Sequence, residues 1–245
     1  MKGTAVFKAL GPVDFRNVIR DEMLRWMVFI PLLIAVAVRF GWPAMVAQLQ
    51  THFQFDILPY QTMLMSYVVI GSPIVFGVVI GFLLLDERDE GSLLALQVTP
   101  LSLPNYLLYR LGLPVVLTML LLLVSLPLAG ITLFTWYEQL LLALVTAPLA
   151  PMLAIFLAAF ARNKVQGFAL MKGGGILFLL PFIAYFVPGQ WQWLFGLFPT
   201  YWAPRLFWLM SEGHSGVWLT AVGGIANQLV WIYLLGRRFN RVLHQ

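Results

Sequence analysis

Polar side chains are nearly absent from six long stretches of this chain. They run over residues 26–47, 61–85, 111–135, 139–161, 168–187 and 217–235. A helix of about 20 residues crosses the hydrocarbon core of a bilayer, so each stretch predicts one membrane span. Arg39 falls near the far end of the first, where a long side chain can reach the headgroup level. The segments between the spans are of two kinds. Most are short and charged. The one over residues 188–212 is apolar and aromatic but interrupted by Pro188, Pro199 and Pro204. It is too apolar for a solvated loop and too broken for one span. Its tryptophans and tyrosines (Trp191, Trp193, Tyr201, Trp202, Trp208) suit a bilayer boundary. The expectation is either two short helices forming a re-entrant segment in the outer leaflet or an aromatic loop lying on its surface.

Before the first span, "DFRNVIRDEMLRW" places Phe15, Val18, Ile19, Met23 and Trp26 on one helical face. Asp14, Arg16, Asn17, Arg20 and Asp21 fall elsewhere, and Pro12 marks a helix start. Residues 1–25 therefore read as an amphipathic helix in the interface or as a plain cytosolic extension of the first span.

Composition turns this pattern into a class. Hydrophobic residues make up 61% of the 245 positions and charged ones only 10%, against about 25% charged in soluble domains. The chain reads as a single all-α transmembrane domain, 1–245, with no segment polar enough to fold in water. The net charge of +5 is an orientation signal. With the N-terminus inside, Lys2, Lys8, Arg16, Arg20, Arg25, Arg88, Arg110, Arg162, Lys164, Lys172, Arg237, Arg238 and Arg241 all fall on the inner side. Only Arg39 and Arg205 fall outside. Such asymmetry predicts a multi-pass protein of the plasma (inner) membrane with both termini cytoplasmic, and nucleic acid is not an expected partner. No apolar run precedes the basic N-terminal residues, so no signal peptide is expected. With no cysteine, disulfides and thiolate metal sites are excluded.

Candidate chemistry is sparse. No GxxxxGK[ST], HExxH or GxSxG occurs, and His52, His214 and His244 are widely separated, so neither an enzyme nor a bound metal or cofactor is expected on this chain. "MKGGGIL" (171–177) lacks the Lys-Ser/Thr of a phosphate loop and reads as a flexible entry to a span or a tight helix contact. Polar residues within spans are few. Ser66, Tyr67 and Ser72 in the second, with Asn227 and Gln228 in the sixth, either line a substrate path or hydrogen-bond helices together. Gly77 and Gly81 form a small-xxx-small pair suited to close helix packing, and Pro73 is a candidate kink. No ionisable residue sits at mid-span, which weighs against proton-coupled transport.

The densest charge lies in "LLLDERDEGSLLALQVTPLS" (83–102). Asp86, Glu87, Asp89 and Glu90 are expected to open a short cytosolic helix, where acids suit the first-turn dipole. Leu93, Leu94 and Leu96 give it an apolar side. Thr99-Pro100 ends it, and Ser102 with Pro104 starts the next. A leucine-lined helix projecting from the membrane calls for a partner groove. Four carboxylates disfavour the anionic lipid surface as that partner.

This stretch resembles the loop after the second span in membrane subunits of type-2 ABC exporters. Their pattern, E-[RK]-x-x-G-[ST]-L-x-x-L-x-x-[ST]-P-[LVI]-[ST], is matched by Glu87, Arg88, Gly91, Ser92, Leu93, Leu96, Thr99, Pro100, Leu101 and Ser102. The amphipathic N-terminus, the six spans and the broken segment before the last extend the likeness over the whole chain. The resemblance implies that residues 86–109 hold a coupling helix that docks on a separate ATP-binding cassette subunit. Glu87, Arg88, Glu90, Gly91, Ser92, Leu93, Leu96, Thr99 and Pro100 would contact that subunit, which would bind the ATP and Mg. It also implies a second permease subunit, identical or related. The apolar span composition favours a hydrophobic or amphipathic substrate such as a drug or lipid. Two other readings stay open: an ATP-independent secondary transporter, and a membrane scaffold that recruits a cytosolic partner without transporting.

Overall fold

The computed structural model describes residues 12, 16, 19, 20, 22–91, 103–131 and 134–243. Backbone groups in hydrocarbon must be paired within their own segment, and long apolar sequence accordingly becomes helix. The helices are α1 (Glu22–Phe53), α2 (Gln61–Asp89), α3 (Leu103–Leu128), α4 (Trp136–Thr146), α5 (Leu149–Phe160), α6 (Lys164–Gly174), α7 (Leu180–Phe186), α8 (Trp202–Glu212) and α9 (Val217–Leu243), and no strand occurs among the described residues. Among the described residues, six stretches are long and apolar enough to cross a membrane: Phe29–Phe53, Leu58–Asp89, Tyr106–Leu128, Trp136–Phe160, Lys164–Phe186 and Val217–Val242. The protein is an all-α membrane protein, as its apolar runs predict.

α2 is the axis of the bundle. Its most apolar stretch is 89% buried, against 11% for α1. Two missing side chains let α5 approach it. A Cβ on Gly77 would lie 2.7 Å from both the Ala150 carbonyl oxygen and Leu153 Cβ, and one on Gly81 would lie 2.8 Å from Leu157 Cδ1. The small-xxx-small pair is thus a helix contact.

Two spans are built from pieces. The fourth is α4 followed by α5, with Pro148 at the junction. The fifth is α6, a 3-10 turn over Gly175–Phe178, and α7. A Cβ on Gly173, Gly174 or Gly175 would meet nothing within 4 Å. The glycine run is therefore not a tight helix contact; it coincides with the break.

The aromatic segment before the last span is helical over most of its length; its first part is exposed and its second part is buried. It forms 3-10 turns over Gly189–Leu197 and Pro199–Tyr201 and then α8, where Tyr201, Ala203, Leu206, Phe207 and Trp208 are buried. The Trp202 indole N–H donates to the Gly196 carbonyl at 2.8 Å. Its ring fills the space over Gly223 and Gly224, whose added Cβ atoms would come within 2.7 and 2.9 Å of it. Gly213, at φ +66, closes α8, because only glycine takes the left-handed cap without strain.

In the N-terminal segment, Pro12, Arg16, Ile19 and Arg20 are helical and exposed. Residues 22–25 of the expected interfacial helix form the start of α1, and its remaining residues lie outside the described ones.

Candidate functional site

The acids of "DERDE" do not open a new helix. α2 runs on through Asp89 and stops at Glu90 and Gly91, the latter at φ +70. Asp86, Glu87 and Asp89 thus occupy a last helical turn, where the exposed carbonyls make negative charge unfavourable. What compensates is a pair of cations brought from two other elements, Arg110 of α3 and Lys164 of α6.

Glu87 forms an ion pair with Arg110 and accepts a hydrogen bond from the Tyr106 hydroxyl. Arg110 Nε in turn donates to Tyr106 Oη at 3.0 Å. Tyr106 and Arg110 stand four residues apart in the first turns of α3 and so share one helical face. Arg110 is among the most completely buried large side chains, 2% exposed. A charge so buried requires a counter-charge, and Glu87 supplies it.

Arg88 turns to α5. Its guanidinium donates to the carbonyls of Ala158 at 2.8 Å, Ala161 at 2.7 Å and Arg162 at 2.7 Å. Arg238 of α9 adds a bond to the Ala159 carbonyl at 3.3 Å and lies 4.0 Å over the Phe160 ring. The end of a helix leaves about four carbonyls unpaired; here two arginines from α2 and α9 satisfy them. Asp86 reaches Lys164 at 2.9 Å. At the start of α6 the Asn163 side chain accepts from the Gln166 N–H at 3.0 Å, while the Gln166 side chain accepts from the Arg162 N–H at 2.9 Å.

The end of α2 is thus joined by charge to the starts of α3 and α6, and the end of α5 is joined to α9. Gly91, just past the end of α2, and Leu103, at the start of α3, are the described residues on either side of 92–102, and both helices belong to this assembly. Within the expected partner-binding set, Glu87 and Arg88 turn into the bundle, while Glu90 is exposed and Gly91 makes the left-handed turn. Ser92, Leu93, Leu96, Thr99 and Pro100 lie outside the described residues.

Four of the five polar span residues bond to the protein itself. Ser66 Oγ donates to the Met63 carbonyl at 2.6 Å and Tyr67 Oη to that of Phe178 at 3.1 Å. Asn227 donates to the carbonyls of Gly196 at 3.1 Å and Leu197 at 3.3 Å, tying α9 to the 3-10 turn. Gln228 donates to the Val145 carbonyl at 3.0 Å, near the end of α4. Ser72 is buried, with no partner for its hydroxyl among the described residues.

Sequence reasoning missed the role of Arg110 and Tyr106. Arg110 reads as one more inner-side charge. The available signal was a lone cation inside apolar sequence with a tyrosine four residues earlier, downstream of a run of unpaired acids.

Over residues 14–236 the chain matches the family described as "Fluoroquinolones export permease protein Rv2686c-like". Two relatives from Mycobacterium tuberculosis are the fluoroquinolones export permease protein MT2760 of strain CDC 1551 / Oshkosh and the fluoroquinolones export permease protein Rv2686c of strain ATCC 25618 / H37Rv. Each is 31% identical over 242 residues, covering 98% of this chain and 96% of the relative. No solved structure matches the chain. With matches that cover nearly its whole length, this chain belongs to the Rv2686c-like fluoroquinolone export permease family.

Proposed function

We propose that this chain is the membrane subunit of an ATP-driven exporter that expels amphipathic aromatic compounds, of the kind for which its mycobacterial relatives are named. The observation that carries the proposal is the family match along nearly the whole chain. The geometry supplies a mechanism. A separate ATP-binding cassette subunit, holding ATP and Mg, docks on the segment from Glu90 to Ser102. Nucleotide binding moves that segment, and the motion enters the bundle through its two ends. At one end, Arg88 and Asp86 couple α2 to α5 and α6. At the other, Tyr106 and Arg110 couple α3 back to α2. The helices then tilt together, since ion pairs and capped helix ends resist relative sliding. A second permease subunit closes the path. The charge-bound end faces the cytoplasm of the plasma membrane, in keeping with the thirteen basic residues expected on that side.

The test is uptake of a fluoroquinolone by inverted membrane vesicles carrying the chain and its ATP-binding partner. Uptake is expected to require hydrolysable ATP. It should be lost in the double variant Glu90→Lys plus Leu93→Asp, which leaves the bundle's thermal unfolding unchanged and fails to co-purify with the partner. Uptake that persists in that variant, or that follows a proton gradient with ATP hydrolysis blocked, overturns the proposal.

A further inference from the structure

Far from the charge-bound end, the bundle holds a cavity of about 350 Å³ between α1, α2, the end of α3 and α8. α2 runs from this cavity at Gln61 to the charged cluster at Asp89 in 29 residues, about 43 Å at 1.5 Å per residue. Arg39, Trp42, Gln61, Thr62, Phe207 and Ser211 are among its lining residues. Volumes of about 300–1,000 Å³ with apolar walls and a few polar groups are typical of small-molecule sites.

Arg39 is the reason to look closer. It lies within the apolar run of α1, ten residues past Phe29, and a cation there is costly unless it has an anion to meet. Guanidinium carries five donors. Among the described residues Arg39 makes one protein hydrogen bond, to the Pro127 carbonyl at a long 3.4 Å, and no ion pair. No carboxylate lines the cavity. At the charge-bound end, by contrast, Arg110 and Lys164 each face a carboxylate and Arg88 caps a helix. Arg39 is thus an exposed cation with no counter-ion among the described residues, set beside Trp42 and Phe207 and the amide and hydroxyl of Gln61 and Thr62. That is the complement of a planar aromatic body bearing an anion.

We propose that this cavity is a subsite for the carboxylate of an aromatic, amphipathic substrate, with Arg39 as its anion-binding group. The inference rests on the export reading above and deepens it. The subsite lies toward the exit end, where it receives the substrate after the inner end has closed. An anionic lipid headgroup could meet the same cation, so the test must separate the two sources.

Norfloxacin carries a carboxylate on a planar bicyclic ring, and its ethyl ester lacks that charge. Binding of both to the full chain is measured by fluorescence titration in nanodiscs of phosphatidylcholine, with and without phosphatidylglycerol. Arg39→Gln is expected to weaken norfloxacin binding by about tenfold or more, the scale of a lost charge-assisted hydrogen-bonded pair, while leaving the ester within about twofold. Arg39→Lys should recover part of the loss and serves as a folding control. Phosphatidylglycerol should not change the difference. Equal losses for acid and ester, no loss for either, no binding of norfloxacin to the wild type, or a difference that disappears with phosphatidylglycerol each overturn the subsite. Intact acid-selective binding with no ATP-driven uptake of either compound would instead sink the export reading and leave the subsite standing.

Discussion

Replacing Glu87 by glutamine removes the charge that Arg110 faces while keeping the side chain's shape. Arg110 is 2% exposed and cannot turn to water, whereas the Glu87 side chain is 22% exposed. Two unit charges in contact gain about 4 kcal/mol at the effective dielectric near a protein surface. The desolvation already suffered by Arg110 is not recovered when its partner goes, which is why breaking one half of a buried pair costs about 3–5 kcal/mol. Partial exposure of Glu87 and the surviving Tyr106 hydroxyl reduce the expected loss to about 2–3 kcal/mol, between the surface and buried limits. The assay is denaturant unfolding of the purified protein in mixed micelles, arranged as a double-mutant cycle with Arg110→Met. Glu87→Gln alone should be more damaging than Glu87→Gln with Arg110→Met, because the second change removes the orphaned cation. Additive losses, or a Glu87→Gln variant as stable as the wild type, would show that the pair does not hold α2 to α3 and would remove the link on which the proposed coupling mechanism relies.

The two glycines of α2 should differ under the same assay. At Gly77 an added methyl meets a backbone oxygen and a Cβ at 2.7 Å, neither free to move, whereas at Gly81 the nearest atom is the flexible Cδ1 of Leu157. Gly77→Ala should cost about 1–3 kcal/mol by overpacking; Gly81→Ala should cost less, since better helix propensity offsets about 1 kcal/mol. Equal effects would argue against the close α2–α5 contact. Gln228→Leu keeps the volume but frees the Val145 carbonyl, and should cost about 1–2 kcal/mol for a buried acceptor left unpaired. An unchanged midpoint would mean that the bond contributes nothing to holding α9 on α4.

The sequence makes the spans legible because a bilayer imposes its thickness on one uninterrupted stretch of chain, a local constraint. What it hides is non-local. The acids after Leu85 look like the opening of a polar helix. In the folded chain they continue α2, because Arg110 and Lys164, distant in sequence, come to meet them. The expectation of acids at a helix start was sound local physics overruled by tertiary pairing. The aromatic segment is ambiguous for the opposite reason. Three prolines leave both a re-entrant pair of short helices and a surface loop open, and in the structure Pro199 begins a short 3-10 turn and Pro204 falls in the first turn of α8, positions where a missing N–H does no harm. That lets Trp202 and Trp208 sink into the core. Nothing local marks out Gly223-Gly224; only the fold reveals the pair as the floor under the Trp202 ring. Arg39 reads from sequence as a side chain reaching for headgroups, and the wall of a cavity becomes visible only when α3 and α8 are in place.

The most direct test is to ask what the segment after α2 touches. A photo-crosslinking amino acid placed at Leu96 would be irradiated in native membranes and its adducts identified by mass spectrometry. The account predicts one main protein adduct, a nucleotide-hydrolysing cassette subunit, whose yield changes when ATP hydrolysis is trapped. Adducts to lipid alone, or to a protein that binds no nucleotide, would contradict it.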